Sequence, residues 1–212
     1  MKKKILFVFL LSTILLINGC GKQSSDDESN SDNSLSKARE DYKVSQSESY
    51  MIIYENYNDL YEKADLVVKG TFVGDEKTTL TKEFDANANK DVINDFITEN
   101  TFQVEKVYKG DCKDKQIKIK ANYGYDDENK IIMTFSYLTP MKKGTSWVYF
   151  LFYSKQRDGY MPAGDYTGRY SLTVLDNMEK YLDSSDNEVF GLVGNVKPNK
   201  QMYKDVYEKI YK

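Results

Sequence analysis

The run WVYFLFY, Trp147 to Tyr153, constrains the fold more than any other stretch of the chain. An unbroken apolar run of this length leaves a strand no side to turn toward water, so it must be covered on both faces. The segments before it alternate instead. DLVVKGTFV, Asp65 to Val73, sets Leu66, Val68, Gly70 and Phe72 against Val67, Lys69, Thr71 and Val73, which reads as a strand. A polar loop is expected from there to about Asn100. In TFQVEKVYKG, Thr101 to Gly110, Phe102 and Val104 share a phase that shifts at Val107, and a bulge near Glu105 accounts for the shift. KQIKIKA alternates through Ile117, Ile119 and Ala121; after the turn YGYDDEN, Lys130 to Leu138 reads as another strand. GRYSLTV, with Gly168 at a bend, and EVFGLV add two more. Helical spacing marks Asn58–Ala64, where Tyr57, Leu60, Tyr61 and Ala64 share a face. It recurs after Pro198 in a closing helix from about Asn199, with Met202, Val206, Tyr207 and Ile210 on one side.

Short strands with glycine-containing turns predict a mainly β chain: a small closed β-barrel of the OB type, with a short helix before its first barrel strand and a C-terminal helix. The succession ADLVVKGTFV, FQVEKVYKG, IKIKA and KKGTSWVYFLF, from about Glu62 to Leu175, resembles the netrin-like module. That module is the OB-type barrel of tissue inhibitors of metalloproteinases and of complement proteins. The resemblance implies the fold and not the inhibition. Those inhibitors grip zinc with a cysteine at the mature amino terminus, and no cysteine precedes Ala64 within this domain.

The amino-terminal fifty residues read differently. MKKK precedes a greasy run, Ile5 to Ile17, which is broken only by Ser12 and Thr13 and stops at Cys20. A basic start, a short apolar run and a small residue before a break describe an export leader. The run is too short to span a bilayer in helix, which needs about 20 residues. Ile17-Asn18-Gly19-Cys20 resembles the lipobox of bacterial lipoproteins, in which lipid joins the cysteine thiol and cleavage falls just before it. Two acyl chains there would give a stable hold on the membrane, where one is marginal. Residues 20–49 follow, rich in Ser, Asp, Asn, Glu and Gln, and read as a disordered polar tether. A coil of about 30 residues reaches roughly 30 Å. The expected organisation is therefore a leader over 1–19, a tether over 20–49 and one barrel domain over 50–212, on the outer face of a bacterial cytoplasmic membrane.

Chemistry is narrowed by what the chain lacks. It has no histidine, which removes Ser-His-Asp and Cys-His catalysis and most zinc sites. With Cys20 taken by lipid, Cys112 has no partner for a disulfide and no imidazole to activate it. DANANKDVINDF, Asp85 to Phe96, spaces oxygen ligands like a calcium loop. Lys90, however, replaces the turn glycine and Phe96 the bidentate glutamate, so a solvated loop is expected instead. No glycine-rich phosphate loop follows a strand, and no cofactor is implied. The chain carries 30 basic and 33 acidic residues, and loses Lys2, Lys3 and Lys4 with the leader. That balance argues against nucleic acid. The lysines between Lys106 and Lys120 alternate with apolar residues and read as a solvated strand face.

Tyrosine, 18 in all, is the remaining signal. Many must pack the barrel, but Tyr125 with Asp126, Tyr160 and Tyr166 fall in expected turns. OB-type barrels bind through one face and its flanking loops, and tyrosine gives contact area at low entropy cost. The expected function is a non-catalytic module that binds a protein or peptide at the cell surface. On this reading, alanine at Tyr125 and Tyr160 weakens capture while sparing the melting temperature. A docking component of an envelope complex, or a hydrolase using carboxylates alone, are the alternatives.

Overall fold

The computed structural model describes residues 39, 41–47, 52–135, 137–194 and 196–212, with the side chains of 75 and 76 outside that description. The leader, Cys20 and most of the expected tether lie outside the described residues. The elements are β1 (Lys43–Gln46), α1 (Tyr57–Lys63), β2 (Leu66–Asp85), β3 (Lys90–Lys109), β4 (Gln116–Ala121), β5 (Tyr123–Asp126) and β6 (Ile131–Thr134). Then come β7 (Ser146–Ser154), β8 (Gly159–Pro162), β9 (Arg169–Ser171), α2 (Leu172–Leu175), α3 (Met178–Tyr181) and α4 (Lys200–Val206).

Five strands close a barrel of the OB-like type. β2 pairs antiparallel with β3, β3 with β4, β8 with β7, and β7 again with β2; β4 and β8 meet in parallel. The apolar run of β7 now has its reason. Trp147, Tyr149 and Leu151 point into the barrel, among Leu66, Val68, Phe72, Phe102 and Ile119. Val148 and Phe150 point outward and are equally buried, under α1, α4 and the tyrosines Tyr57, Tyr170 and Tyr203. One strand thus serves two cores. The bulge near Glu105 is present: Lys69 faces Lys106 and Gly70 faces Val104, leaving Glu105 unmatched.

Helix α1 begins where Asn56 accepts a hydrogen bond from the Asp59 amide and buries Tyr57 and Leu60. α4 begins at Asn199, whose side chain accepts from the Met202 amide, and buries Met202, Tyr203 and Val206. Both helices fall where the spacing predicts.

Four expectations are corrected. The stretch expected as loop up to Asn100 is the outer half of a long β2–β3 ribbon, with a tight turn at 86–89. Its tip is exposed, and its inward face buries Thr98 and Asn100 beside Phe96, so the apolar alternation that marks a half-buried strand is thin there; Thr78 opposite Thr98 and Leu80 opposite Phe96 carry the pairing. Tyr123 to Asp126, expected as turn, is a strand, and β6 ends at Thr134 rather than Leu138. Leu172–Leu175 and Asn187–Phe190 are helical turns, because four apolar residues satisfy a single buried turn as well as a strand. Within the expected tether, Lys43–Gln46 forms β1, parallel to β6.

Candidate binding surface

The β5–β6 hairpin sits on the β2–β3 ribbon through a buried polar network. The Thr98 hydroxyl donates to the Tyr123 carbonyl at 2.7 Å, the Tyr123 hydroxyl to Asn100 Oδ1 at 2.6 Å, and Asn100 Nδ2 to the Thr98 and Ile119 carbonyls. All three residues are fully buried and mutually satisfied, which fixes the hairpin rigidly. Phe135 stacks on Phe96 with ring centres 4.1 Å apart.

At the far end of β5, Tyr125 lies edge-on to Tyr123. Asp126 closes the turn: Oδ1 accepts from the Asn129 amide at 3.1 Å and Oδ2 from Asn129 Nδ2 at 2.7 Å. Its neighbour Asp127 faces outward and receives Arg39 Nε at 3.1 Å, Arg39 Nη2 at 3.2 Å and the Tyr42 hydroxyl at 3.0 Å. The Arg39 guanidinium also lies over the Tyr125 ring, 3.7 Å from its centre. Lys130 pairs with Asp41 at 2.9 Å. Partial burial pulls the Asp127 carboxyl upward, but the hydrogen bonds of Arg39 and Tyr42 and the Arg39 charge outweigh it and hold it below the usual carboxylate range. Asp41 is lowered by its hydrogen bond from Lys130.

Of the residues singled out by sequence, Tyr125 and Asp126 meet here, and both are buried. Alanine at Tyr125 therefore removes core packing as well as surface, so the spared melting temperature is not expected at that position. Tyr160 is not in a turn as expected but in strand β8, paired with Tyr153 of β7, edge-on to that ring at 5.6 Å and packed against the barrel interior; burial pushes its phenol up. Tyr166 occupies the 3-10 turn Asp165–Gly168, edge-on to Tyr137 and packed on the helix-side core. Asn122 Nδ2 reaches Asp165 Oδ1 at 3.3 Å, which ties this turn to the start of β5.

Sequence reasoning missed Arg39, Tyr42 and Asp127. An arginine and a tyrosine inside a Ser- and Asp-rich tether were the available signal. It also missed Arg169, a guanidinium almost wholly buried. Nη2 donates to the carbonyls of Thr139 and Gly191, and the group lies 4.9 Å from the centre of the Trp147 ring. Nε and Nη1, and the Tyr170 hydroxyl, have no hydrogen-bond partner among the described residues. A cavity of about 20 Å³, lined by Arg169, Tyr170, Phe190 and Tyr203, lies alongside, enough for a single water. Arg169 thereby clamps the 139 and 191 segments onto β9.

Elsewhere the charges pair locally. Lys118 and Lys120 lie 4.0 and 3.8 Å from Glu99, and Arg157 lies 2.7 Å from Asp95. Asp85 Oδ1 accepts from the amides of Asn87 and Ala88, so the calcium-like spacing serves a hairpin turn. Among the described residues no three His, Cys, Asp or Glu side chains converge as a metal site requires. The Cys112 thiol is raised, by burial first and by Asp114 and Asp111 beside it, despite a backbone hydrogen bond that opposes them. Among the described residues the carboxyls that shift, Asp41, Asp127 and Asp183, shift down, the opposite of what a general acid needs. Among the described residues no helix is long and apolar enough to cross a membrane. No protein-family model matches the chain, and no curated protein matches it.

Proposed function

We propose that the chain is an extracytoplasmic lipoprotein, fixed by lipid on Cys20 to the outer face of a bacterial cytoplasmic membrane, whose barrel binds a protein or peptide without catalysis. The observation that carries this reading is the order of the amino-terminal residues. A basic start and a greasy run end at Ile17-Asn18-Gly19-Cys20, and a polar stretch separates that cysteine from the domain. The absence of histidine, the raised Cys112 thiol and the lowered carboxyls support binding over catalysis. So does the barrel type, which elsewhere binds through a face and its loops.

Labelled palmitate fed to cells is expected to enter the mature polypeptide and to fail to enter the Cys20→Ser variant, which should leave the membrane fraction. Cross-linking of intact cells should then join the barrel to a protein neighbour. Unlabelled wild-type protein, or a full-length cytosolic product, would reject the anchor.

A further inference from the structure

Strand β1 is held to the domain without a core. All four of its residues are exposed, and Val44 keeps 47% of its surface. Burial of apolar area therefore contributes little to its position. What holds it is main chain, charge and the neighbouring Tyr42, which packs on the cluster of Ala121, Tyr123 and Tyr125. The Lys43 amide donates to the Lys130 carbonyl at 3.0 Å and the Ser47 amide to the Thr134 carbonyl at 3.1 Å, in parallel register with β6. Upstream, Arg39 is clamped between the Tyr125 ring and the Asp127 carboxylate.

These are the means by which a sheet edge captures an extended peptide: main-chain bonds supply affinity, and seats for particular side chains supply specificity. We infer that the β6 edge, with Tyr125 and Asp127, is a peptide-docking seat that residues 39 and 41–47 occupy as an internal stand-in. Its partner is an extended segment of another protein carrying an arginine four residues before the paired stretch. The inference rests on reading the barrel as a binding module and specifies where and what it binds.

The seat's chemistry selects arginine over lysine. Only a planar guanidinium can lie on the Tyr125 ring while two of its nitrogens reach the two Asp127 oxygens, at 3.1 and 3.2 Å. Asp126, already bound to Asn129, is not available to the partner, while Lys130, which holds Asp41 at 2.9 Å, favours an acidic residue two positions after the arginine. The stand-in competes from the same chain at an effective concentration in the millimolar range, so an incoming peptide must displace it. With every residue of β1 exposed and Tyr42 only partly buried, little apolar packing opposes that local opening.

The test uses the full chain and a fluorescent nine-residue peptide of the sequence Arg39 to Ser47. Along β1 the donors facing β6 alternate, at Lys43 and Ser47 and hence at Ser45. Proline at Ser45 removes that donor and lifts the stand-in. By anisotropy, Ser45→Pro protein should bind the peptide about tenfold more tightly than wild type, because the competitor is gone. Arg39→Ala in the protein loosens the stand-in by a separate route and should also raise affinity. Lysine in place of the peptide's arginine, or Asp127→Asn in the Ser45→Pro protein, should weaken binding about tenfold. Folded Ser45→Pro and Arg39→Ala proteins that bind no better than wild type would overturn the seat, as would indifference to the lysine peptide. A cross-linked neighbour whose yield is unchanged by Asp127→Asn would also reject this seat, while leaving the binding-module reading intact.

Discussion

Alanine at Gly70 is expected to cost about 3 kcal/mol or more and to lower the melting temperature by roughly 10 °C. β2 is hydrogen-bonded on both sides at this point, facing Val104 of β3 and Trp147 of β7. A Cβ at Gly70 would lie 2.0 Å from the Gln103 carbonyl oxygen and 2.7 Å from Phe102 Cε1. The first of these atoms is backbone in a paired strand and cannot swing aside. The second belongs to a fully buried ring, edge-on to Tyr149 at 5.3 Å. The clash can be relieved only by parting β2 from β3 beside the Glu105 bulge, which opens the barrel. Gly144 provides the control. Its φ is +82°, but a Cβ there meets nothing within 4 Å, so alanine should cost only the left-handed strain of about 1–2 kcal/mol. Circular-dichroism melts of the two variants give the comparison. Equal losses would mean that steric closure of the barrel at Gly70 is not what the glycine provides.

The barrel's centre was legible in the sequence, and the physical reason is burial on two sides. Trp147 to Leu151 has no polar face, so only a central strand fits it. Likewise the phase slip at Val107 has one simple cause, an unmatched residue at Glu105. The helices were legible through apolar spacing behind a capping asparagine. Elements without an apolar repeat were not. The outer ribbon buries polar Thr98 and Asn100 on its inward face, and β1 has no apolar pattern because β6, not a core, fixes it. The candidate surface divides in the same way. Tyr125 and Asp126 stood out as neighbours in one turn, but Asp126 serves the turn itself. The outward acceptor is Asp127, and its partner Arg39 is 88 positions away. Ion pairs across such a distance leave no periodicity behind. Arg169 hid for a similar reason: its acceptors are carbonyls of Thr139 and Gly191, and carbonyls have no signature in sequence.

Alkali is expected to unfold the protein in one cooperative step between pH 10 and 12, whereas its stability should stay flat from roughly pH 5 to 9. The chain has no histidine, so almost nothing titrates across the neutral range, and the Cys112 thiol is raised. The helix-side core is built instead from buried phenols. Burial, with Tyr61 adding to it, pushes Tyr57 up to about 12. Burial likewise raises Tyr170, whose hydroxyl has no partner among the described residues, and Tyr203, despite the Ser171 amide and Arg169 charge that pull the other way. A phenol whose folded pKa lies above its unfolded value near 10 gives its full stabilisation below pH 10. That stabilisation is lost as the pH climbs toward the folded value. With Tyr57, Tyr170 and Tyr203 all raised, their combined loss is set against a total stability of only about 5–15 kcal/mol for a typical domain. Tyrosinate absorbance and near-ultraviolet dichroism should change together, because the buried phenols ionise only as the fold opens. Tyr57→Phe should remove one linked proton and flatten the fall of stability with pH by about 1.4 kcal/mol per pH unit. An unchanged slope in that variant, or phenols that all titrate near 10 while the dichroism persists, would show that the aromatic core is not what limits the fold in alkali.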